Sequence, residues 1–264
     1  MTRGRLTILQ GDALEQLRTL PSESVQCCVT SPPFWGLRDY GVEGQIGLED
    51  SPETWTARLV EVFREVRRTL RADGVAFIEC GDAYASGKGT CHNPGGSLTG
   101  GSLESAKRDE GVYQTNRHNK SELQEWGLKP KDLIGLPFML AFALRADGWY
   151  WRDMIVWHRP SPMPESVTDR TTKAHSYVLL MTKSATYFWD QQAIREPQSN
   201  LTLERLKRPG TAWSDKDLAR GNGYATGKPV FGKHIVMSHG RNKRSVWTIP
   251  SQPLKEAHFA SFPE

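Results

Sequence analysis

The order of strands and helices is the feature of this sequence that most narrows the choice of fold. Short apolar segments typical of strands occur at 6–9, 25–30 and 75–78, and segments with apolar residues at helical spacing lie between them, at 13–20 and 51–70. A strand that is followed by a helix and then by another strand normally runs parallel to it. The alternation therefore predicts an α/β fold with a mostly parallel sheet.

The same pattern continues in the second half of the chain, where two polar regions interrupt it. A helix is predicted at 130–145, and strands at 149–157 and 177–181. Residues 85–127 are rich in Gly, Ser, Asn, Lys and Arg without apolar periodicity, which predicts an insertion outside the core. The second region, 191–245, is basic and contains scattered aromatic residues.

Local signals predict where the first two helices begin and end. Asp12 is a suitable N-cap for the helix that starts at Ala13. Ser51 is the expected N-cap of the long second helix, with Pro52 in its first turn. The turn at 72–74, Ala-Asp-Gly, is expected to end that helix.

Cysteine usage and hydropathy limit the cellular compartments in which the protein is expected. The four cysteines form no disulfide-like framework, which favours a reducing environment. No apolar stretch approaches the roughly 18 residues that span a bilayer, and no signal peptide is evident. We therefore expect a cytoplasmic protein without membrane association. Cys91 and His92 lack a second pair at ligand spacing, so no metal is expected.

The sharpest chemical motif is Thr-Ser-Pro-Pro-Phe-Trp at 30–35, directly after the strand at 25–30. In open α/β sheets ligands bind at the carboxyl ends of strands. The Ser31 hydroxyl and the Pro32 carbonyl could accept hydrogen bonds from an exocyclic amine and make its nitrogen a better nucleophile. Pro33 fixes the turn, and Phe34 offers a face for an extruded base. A strand terminator followed by a core aromatic is the alternative.

Several further segments accompany this motif in a fixed order. They are Gly11-Asp12-Ala13-Leu14, Lys131 to Pro137, Gly148-Trp149-Tyr150, Trp157 to Pro160, Pro164-Glu165-Ser166, Arg244 to Trp247 and His258 to Glu264. In motif, order and spacing the chain resembles the beta-class DNA amino-methyltransferases. The resemblance implies a Rossmann-like S-adenosylmethionine-dependent methyltransferase fold, and it covers nearly all of the chain outside the two polar regions.

The resemblance also assigns roles to residues. It places the reaction centre at Ser31, Pro32, Pro33 and Phe34, and the S-adenosylmethionine contacts at Asp12, Ala13, His258, Phe259, Phe262 and Pro263. A Ser-Pro-Pro motif is associated more often with cytosine N4 than with adenine N6, so cytosine N4 is favoured and adenine N6 is the alternative. His258 could instead be a surface histidine.

The expected domain organisation follows from the same comparison. Residues 1–190 would form the catalytic core, 191–245 the target-recognition region and 246–264 the start of a cofactor-binding segment. DNA contacts are expected from Arg205, Lys207, Arg208, Arg241, Lys243 and Arg244, with double-stranded DNA as partner and a cognate restriction endonuclease as a second partner. Solvated charge is the alternative for these residues.

The sequence departs from the family pattern at one place. The family's glycine-rich cofactor motif follows the His-Phe-Ala-Ser-Phe-Pro segment, and this sequence stops at Glu264. A sheet that is incomplete towards the C-terminus is therefore expected, through truncation, a split enzyme or degeneration. A DNA-binding protein without catalysis, and methylation of RNA or of a protein glutamine, are the competing functions.

Overall fold

The computed structural model describes residues 6–37, 39–85, 120–200 and 240–250. The helices are α1 (Ala13–Thr19), α2 (Pro52–Thr69), α3 (Lys120–Glu125) and α4 (Leu136–Ala146); the strands are β1 (Val25–Thr30), β2 (Leu70–Cys80), β3 (Tyr150–His158), β4 (His175–Thr182) and β5 (Val246–Thr248). The chain divides into two compact units, one of which is Trp189–Arg244. All of the named helices and strands belong to the other unit.

The five strands form one sheet in the order β1-β2-β4-β3-β5. β1 is parallel to β2, and β5 is parallel to β3. β4 lies between β2 and β3 and is antiparallel to both. Four strands therefore point in one direction and β4 in the other, which confirms the predicted α/β fold with a mostly parallel sheet.

The long helix α2 begins as predicted and ends earlier. The Ser51 side chain accepts a hydrogen bond from the Thr54 amide at 3.1 Å, and Pro52 occupies the first turn. The predicted end at 72–74 is wrong, because α2 ends at Thr69 and β2 begins at once. The stretch 71–74 is a bulge in β2, since Val25 pairs with Leu70 and Cys27 already pairs with Val75.

One face of the sheet carries the main core. It contains the buried apolar face of α2, with Trp55, Leu59, Phe63 and Val66, and the buried residues of α4. A helix with such a wide apolar stripe gains most of its stability from packing. A second, smaller cluster is formed around Val75.

Two predictions about the borders of this core are wrong. The segment 6–9 forms no strand, and Leu6 and Ile8 are 86% and 83% exposed. β1 lies at the edge of the sheet, and within the described residues no strand pairs with its outer side, so this segment finds no hydrogen-bonding ladder.

The insertion predicted at 85–127 is too long at its C-terminal end, because Leu123 is buried and the Trp126 ring lies 5.4 Å from that of Trp35. Residues 86–119 lie outside the described part of the chain.

The described cysteines, Cys27, Cys28 and Cys80, are free thiols. Burial and then the neighbouring Cys27 raise the pKa of Cys28 to about 11, so this thiol stays protonated at neutral pH. Among the described helices, none is long and apolar enough to cross a bilayer.

Candidate active site

The Ser31-to-Phe34 turn leaves the carboxyl end of β1 and is anchored by α2. The Trp55 indole donates a hydrogen bond to the Pro33 carbonyl at 2.9 Å, and the Pro32 ring is buried. Among the described residues none donates to the Pro32 carbonyl. The helix therefore fixes one carbonyl of the turn, and the preceding one keeps its acceptor capacity among these residues.

Ser31 is held by a buried carboxylate. Its Oγ donates a 2.7 Å hydrogen bond to Oε2 of Glu79, which lies near the end of β2 and is 6% exposed. The other carboxylate oxygen, Oε1, lies 3.6 Å from Nη2 of Arg159, and this Nη2 also donates to Ser176 Oγ at 3.1 Å. Within the described residues Oε1 has no hydrogen-bond partner. The Ser31 hydroxyl thus contacts the Glu79 carboxylate, which in turn lies next to the Arg159 guanidinium.

Phe34 packs on the backbone of Gly81, two residues beyond Glu79. A Cβ atom added at Gly81 would lie 2.9 Å from Cε2 of Phe34, which is closer than real contacts allow. Glycine at this position therefore permits the half-buried Phe34 ring to pack directly on the backbone just after β2. The predicted stacking of a base on Phe34 stays a prediction.

Asp82 ties the end of β2 to the start of α4. Its Oδ1 accepts hydrogen bonds from the amides of Ala83, Gly135 and Leu136 at 2.9, 2.9 and 3.0 Å. The helix predicted from residue 130 begins only at Leu136, because the left-handed Gly135, with φ 85°, and Asp82 set its first turn. Burial raises the pKa of Asp82, and the positive charge of Lys173 opposes this shift.

We expect Asp82→Ala to destabilise the fold by about 2 to 3 kcal/mol, because it leaves buried amides without an acceptor. Asp82→Asn keeps an acceptor oxygen and should lose less than about 1 kcal/mol. Since the folded-state pKa of Asp82 is raised, its ionisation opposes folding. The Asp82 contribution to stability should therefore decrease as the pH rises from below the ordinary Asp pKa to above the raised one.

Urea denaturation of the three proteins at several pH values tests this expectation. The pH-dependent part should be missing in Asp82→Asn. Equal destabilisation by both substitutions would show that the three amide hydrogen bonds are not the source of the effect.

An apolar cleft of about 370 Å³ lies between α1, β1 and α2. It brings together Ala13, predicted to contact cofactor, with Pro32 and Pro33 of the predicted reaction centre, and Thr30 and Gln16 add polar groups to its lining. Asp12 does not line this cleft. Its Oδ1 accepts a hydrogen bond from the Glu15 amide at 3.0 Å and so caps α1, as expected from the sequence.

Of the residues predicted to bind DNA, three are described. Arg241, Lys243 and Arg244 surround Glu196 in the unit Trp189–Arg244. The other predicted DNA contacts, Arg205, Lys207 and Arg208, lie outside the described residues, as do His258, Phe259, Phe262 and Pro263.

Sequence reasoning missed Glu79, Gly81 and Arg159. The signal for Glu79 was a charged residue that directly follows the apolar run Val-Ala-Phe-Ile at 75–78, where an unpaired charge would be costly. In the described parts of the chain no three His, Cys, Asp or Glu side chains lie close enough to share a metal ion.

Comparison with known proteins identifies the family. The family model described as DNA methylase matches residues 25–264. The chain is 41% identical over 257 residues to the type II methyltransferase M.Cfr9I of Citrobacter freundii and 38% identical over 256 residues to M.SmaI of Serratia marcescens. Each match covers 97% of this chain, and 68% and 70% of the relatives.

Among solved structures, a putative DNA modification methylase from Thermus thermophilus, complexed with S-adenosyl-L-methionine, matches 92% of this chain and 66% of its own at 21% identity, with a TM-score of 0.42. The chain thus spans about two thirds of the length of these proteins. As the sequence resemblance predicted, the chain belongs to the DNA methylase family that comprises N6-adenine and N4-cytosine methyltransferases.

Proposed function

We propose that this chain transfers a methyl group from S-adenosylmethionine to an exocyclic amine of a base in double-stranded DNA, and that the amine is N4 of cytosine. The observation that carries the proposal is the 2.7 Å hydrogen bond from Ser31 to the buried Glu79, next to the Pro32 carbonyl, to which no described residue donates. A cognate restriction endonuclease is the partner that a type II modification enzyme would have.

The amine of cytosine is a weak nucleophile because its lone pair is delocalised into the ring. Two acceptors, Ser31 Oγ and the Pro32 carbonyl oxygen, would bind its two N–H groups and favour a tetrahedral nitrogen. The Ser31 hydroxyl proton is directed to Glu79, so the oxygen presents its lone pairs to the amine. The hydrogen bond to Glu79 therefore orients the Ser31 hydroxyl so that its oxygen can accept a hydrogen bond from the amine.

Glu79 also provides negative charge where positive charge develops. As the nitrogen gains a fourth bond it becomes cationic and must lose a proton. That proton can pass to Ser31 Oγ while the hydroxyl proton of Ser31 moves to Glu79 Oε2, 2.7 Å away. Arg159, 3.6 Å from the other carboxylate oxygen, holds Glu79 in place.

The cleft beside the turn supports the cofactor part of the proposal. Its apolar lining, with Ala13 on one side and Pro32 on the other, suits the adenine ring, and the Thr30 hydroxyl and the Gln16 amide offer hydrogen bonds. S-adenosylmethionine would supply an activated methyl group bound to a sulfonium. The four predicted contacts near the C-terminus remain part of this proposal.

Nucleoside analysis of host DNA tests the base and the reaction together. DNA from cells that express the chain should contain N4-methylcytosine, and DNA from cells that express Ser31→Ala should contain far less of it. N6-methyladenine in its place would favour the alternative base. Duplex DNA that is bound but never modified would favour a DNA-binding protein without catalysis.

A further inference from the structure

Charge is distributed unevenly between the two units of the chain. The unit Trp189–Arg244 contains eleven Lys and Arg against five Asp and Glu, a formal charge of +6. Because the whole chain carries +4, the remaining 208 residues carry −2. The mild overall basicity therefore conceals one strongly basic unit, which is suited to a polyanion.

Within this unit, three of the four described Lys and Arg residues are arranged around one carboxylate. Glu196 and Arg241 form an antiparallel bridge, with mutual backbone hydrogen bonds of 2.9 and 2.8 Å. Oε2 of Glu196 lies 3.1 Å from Nε of both Arg241 and Arg244, and Oε1 lies 3.5 Å from Nζ of Lys243. Three cations share one anion, so the group keeps a charge of +2.

The backbone is built to bring the two segments this close. Gly240 has a φ of 72°, and a Cβ atom there would lie 2.4 Å from the Glu196 carbonyl oxygen. Arg195 donates through Nη1 to the Gly240 carbonyl at 3.2 Å, which joins the same two segments again. The cluster is thus fixed by main-chain contacts as well as by charge.

Glu196 holds each arginine by one side of its guanidinium. The carboxylate accepts from Nε of Arg241, which leaves four N–H donors that Glu196 does not use. The Glu196 side chain is 16% exposed, while those of Arg241 and Arg244 are 35% and 67% exposed. Burial raises the pKa of Glu196, but the surrounding cations outweigh it and lower the pKa below its ordinary value, so the carboxylate stays charged.

We propose that Glu196 is a positioning residue that presents Arg241 and Arg244 to the phosphates of duplex DNA. A carboxylate that holds Nε of a guanidinium restricts its orientation, and the N–H donors of the partly exposed Arg241 that Glu196 does not use can bind a phosphate oxygen through two N–H groups. This inference rests on the proposed function. It assigns a role in DNA binding to Glu196, whose negative charge by itself would repel phosphates. Loss of Glu196 should therefore weaken DNA binding.

The experiment measures binding of the full chain to a short fluorescent DNA duplex between roughly 50 and 200 mM salt, without cofactor. Arg241→Gln and Arg244→Gln should each weaken binding and reduce the slope of log K against log salt by about 0.9, the value for one lost phosphate contact. Arg71→Gln, which removes an exposed arginine 3.5 Å from Asp73 in the other unit, is the matched control and should leave the slope unchanged.

The Glu196→Gln variant distinguishes a positioning role of Glu196 from a simple effect of its negative charge on DNA binding. A simple counter-ion would, when neutralised, strengthen DNA binding, since it repels phosphates. We expect the opposite, a loss of about threefold or more in affinity, and recovery to within about twofold in Glu196→Asp, which keeps the carboxylate. Melting temperatures close to that of the wild type would show that the variants are folded.

Tighter binding by Glu196→Gln, or unchanged slopes for both arginine variants, would overturn the inference even if the chain methylates DNA. Conversely, the expected binding pattern together with unmodified host DNA would contradict the proposed reaction and leave this inference standing. A wild-type chain that binds no duplex DNA would overturn both.

Discussion

Replacing Ser31 with alanine should lower the methylation rate by about 10²-fold or more while leaving DNA affinity within about twofold of the wild type. The substitution removes one of the two acceptors proposed for the amine and breaks the 2.7 Å link to Glu79. These interactions act on the reacting nitrogen and strengthen as charge develops. The loss should therefore appear in kcat and much less in KM.

The measurement is transfer of a labelled methyl group to duplex DNA under single-turnover conditions. Ser24→Ala is the control, because it also removes a serine hydroxyl, which in that case donates to the Pro21 carbonyl at 2.7 Å. Ser24→Ala should retain the wild-type rate. Equal losses of rate and DNA affinity in Ser31→Ala would assign Ser31 to docking or folding.

Replacing Glu79 with glutamine should lower the methylation rate by about 10-fold to 10²-fold. The amide can donate as well as accept, so it no longer fixes the direction of the Ser31 hydroxyl. It also removes the negative charge next to the developing cation and leaves Arg159 without its carboxylate partner. Glu79→Asp should recover part of the rate, since it restores the charge at a shorter reach.

Glu49→Gln is the matched control for this variant. Glu49 is also a buried carboxylate near an arginine, with Oε1 3.5 Å from Nη1 of Arg58, but it bonds the Gly47 amide and does not contact Ser31. Its loss should affect stability more than rate. If Glu49→Gln slows methylation as much as Glu79→Gln, the effect belongs to the loss of a buried charge and not to the orientation of Ser31.

The sequence was sufficient to predict the order of α1, β1, α2, β2, α4, β3 and β4 and the turn at Ser31. Apolar periodicity identified α2 and the inner strands, because a buried face imposes a regular spacing on each element. It failed at 6–9, where apolar alternation predicts a strand but a ladder partner must come from elsewhere in space. It also failed at 72–74, where an Ala-Asp-Gly turn signal proved to be a bulge within β2.

The contacts that complete the candidate site could not be found in this way. Glu79 is 48 residues from Ser31 in the chain, and their contact depends on the register of β1 against β2. Arg159 reaches the same carboxylate from the end of β3, across the antiparallel β4. Single-residue signals predict which side chains are reactive, whereas pairing across strands decides which of them meet.

The chain at the end of β2 carries two carboxylates with different structural roles. Glu79 faces Ser31, and Asp82, three residues later, caps α4. Because side chains alternate along a strand, a one-residue insertion between Val75 and Glu79 would turn the carboxylate away from Ser31 and detach the helix cap at the same time. The bulge at 71–74 lies before this paired segment, so changes in chain length between homologues would be tolerated there without disturbing either role.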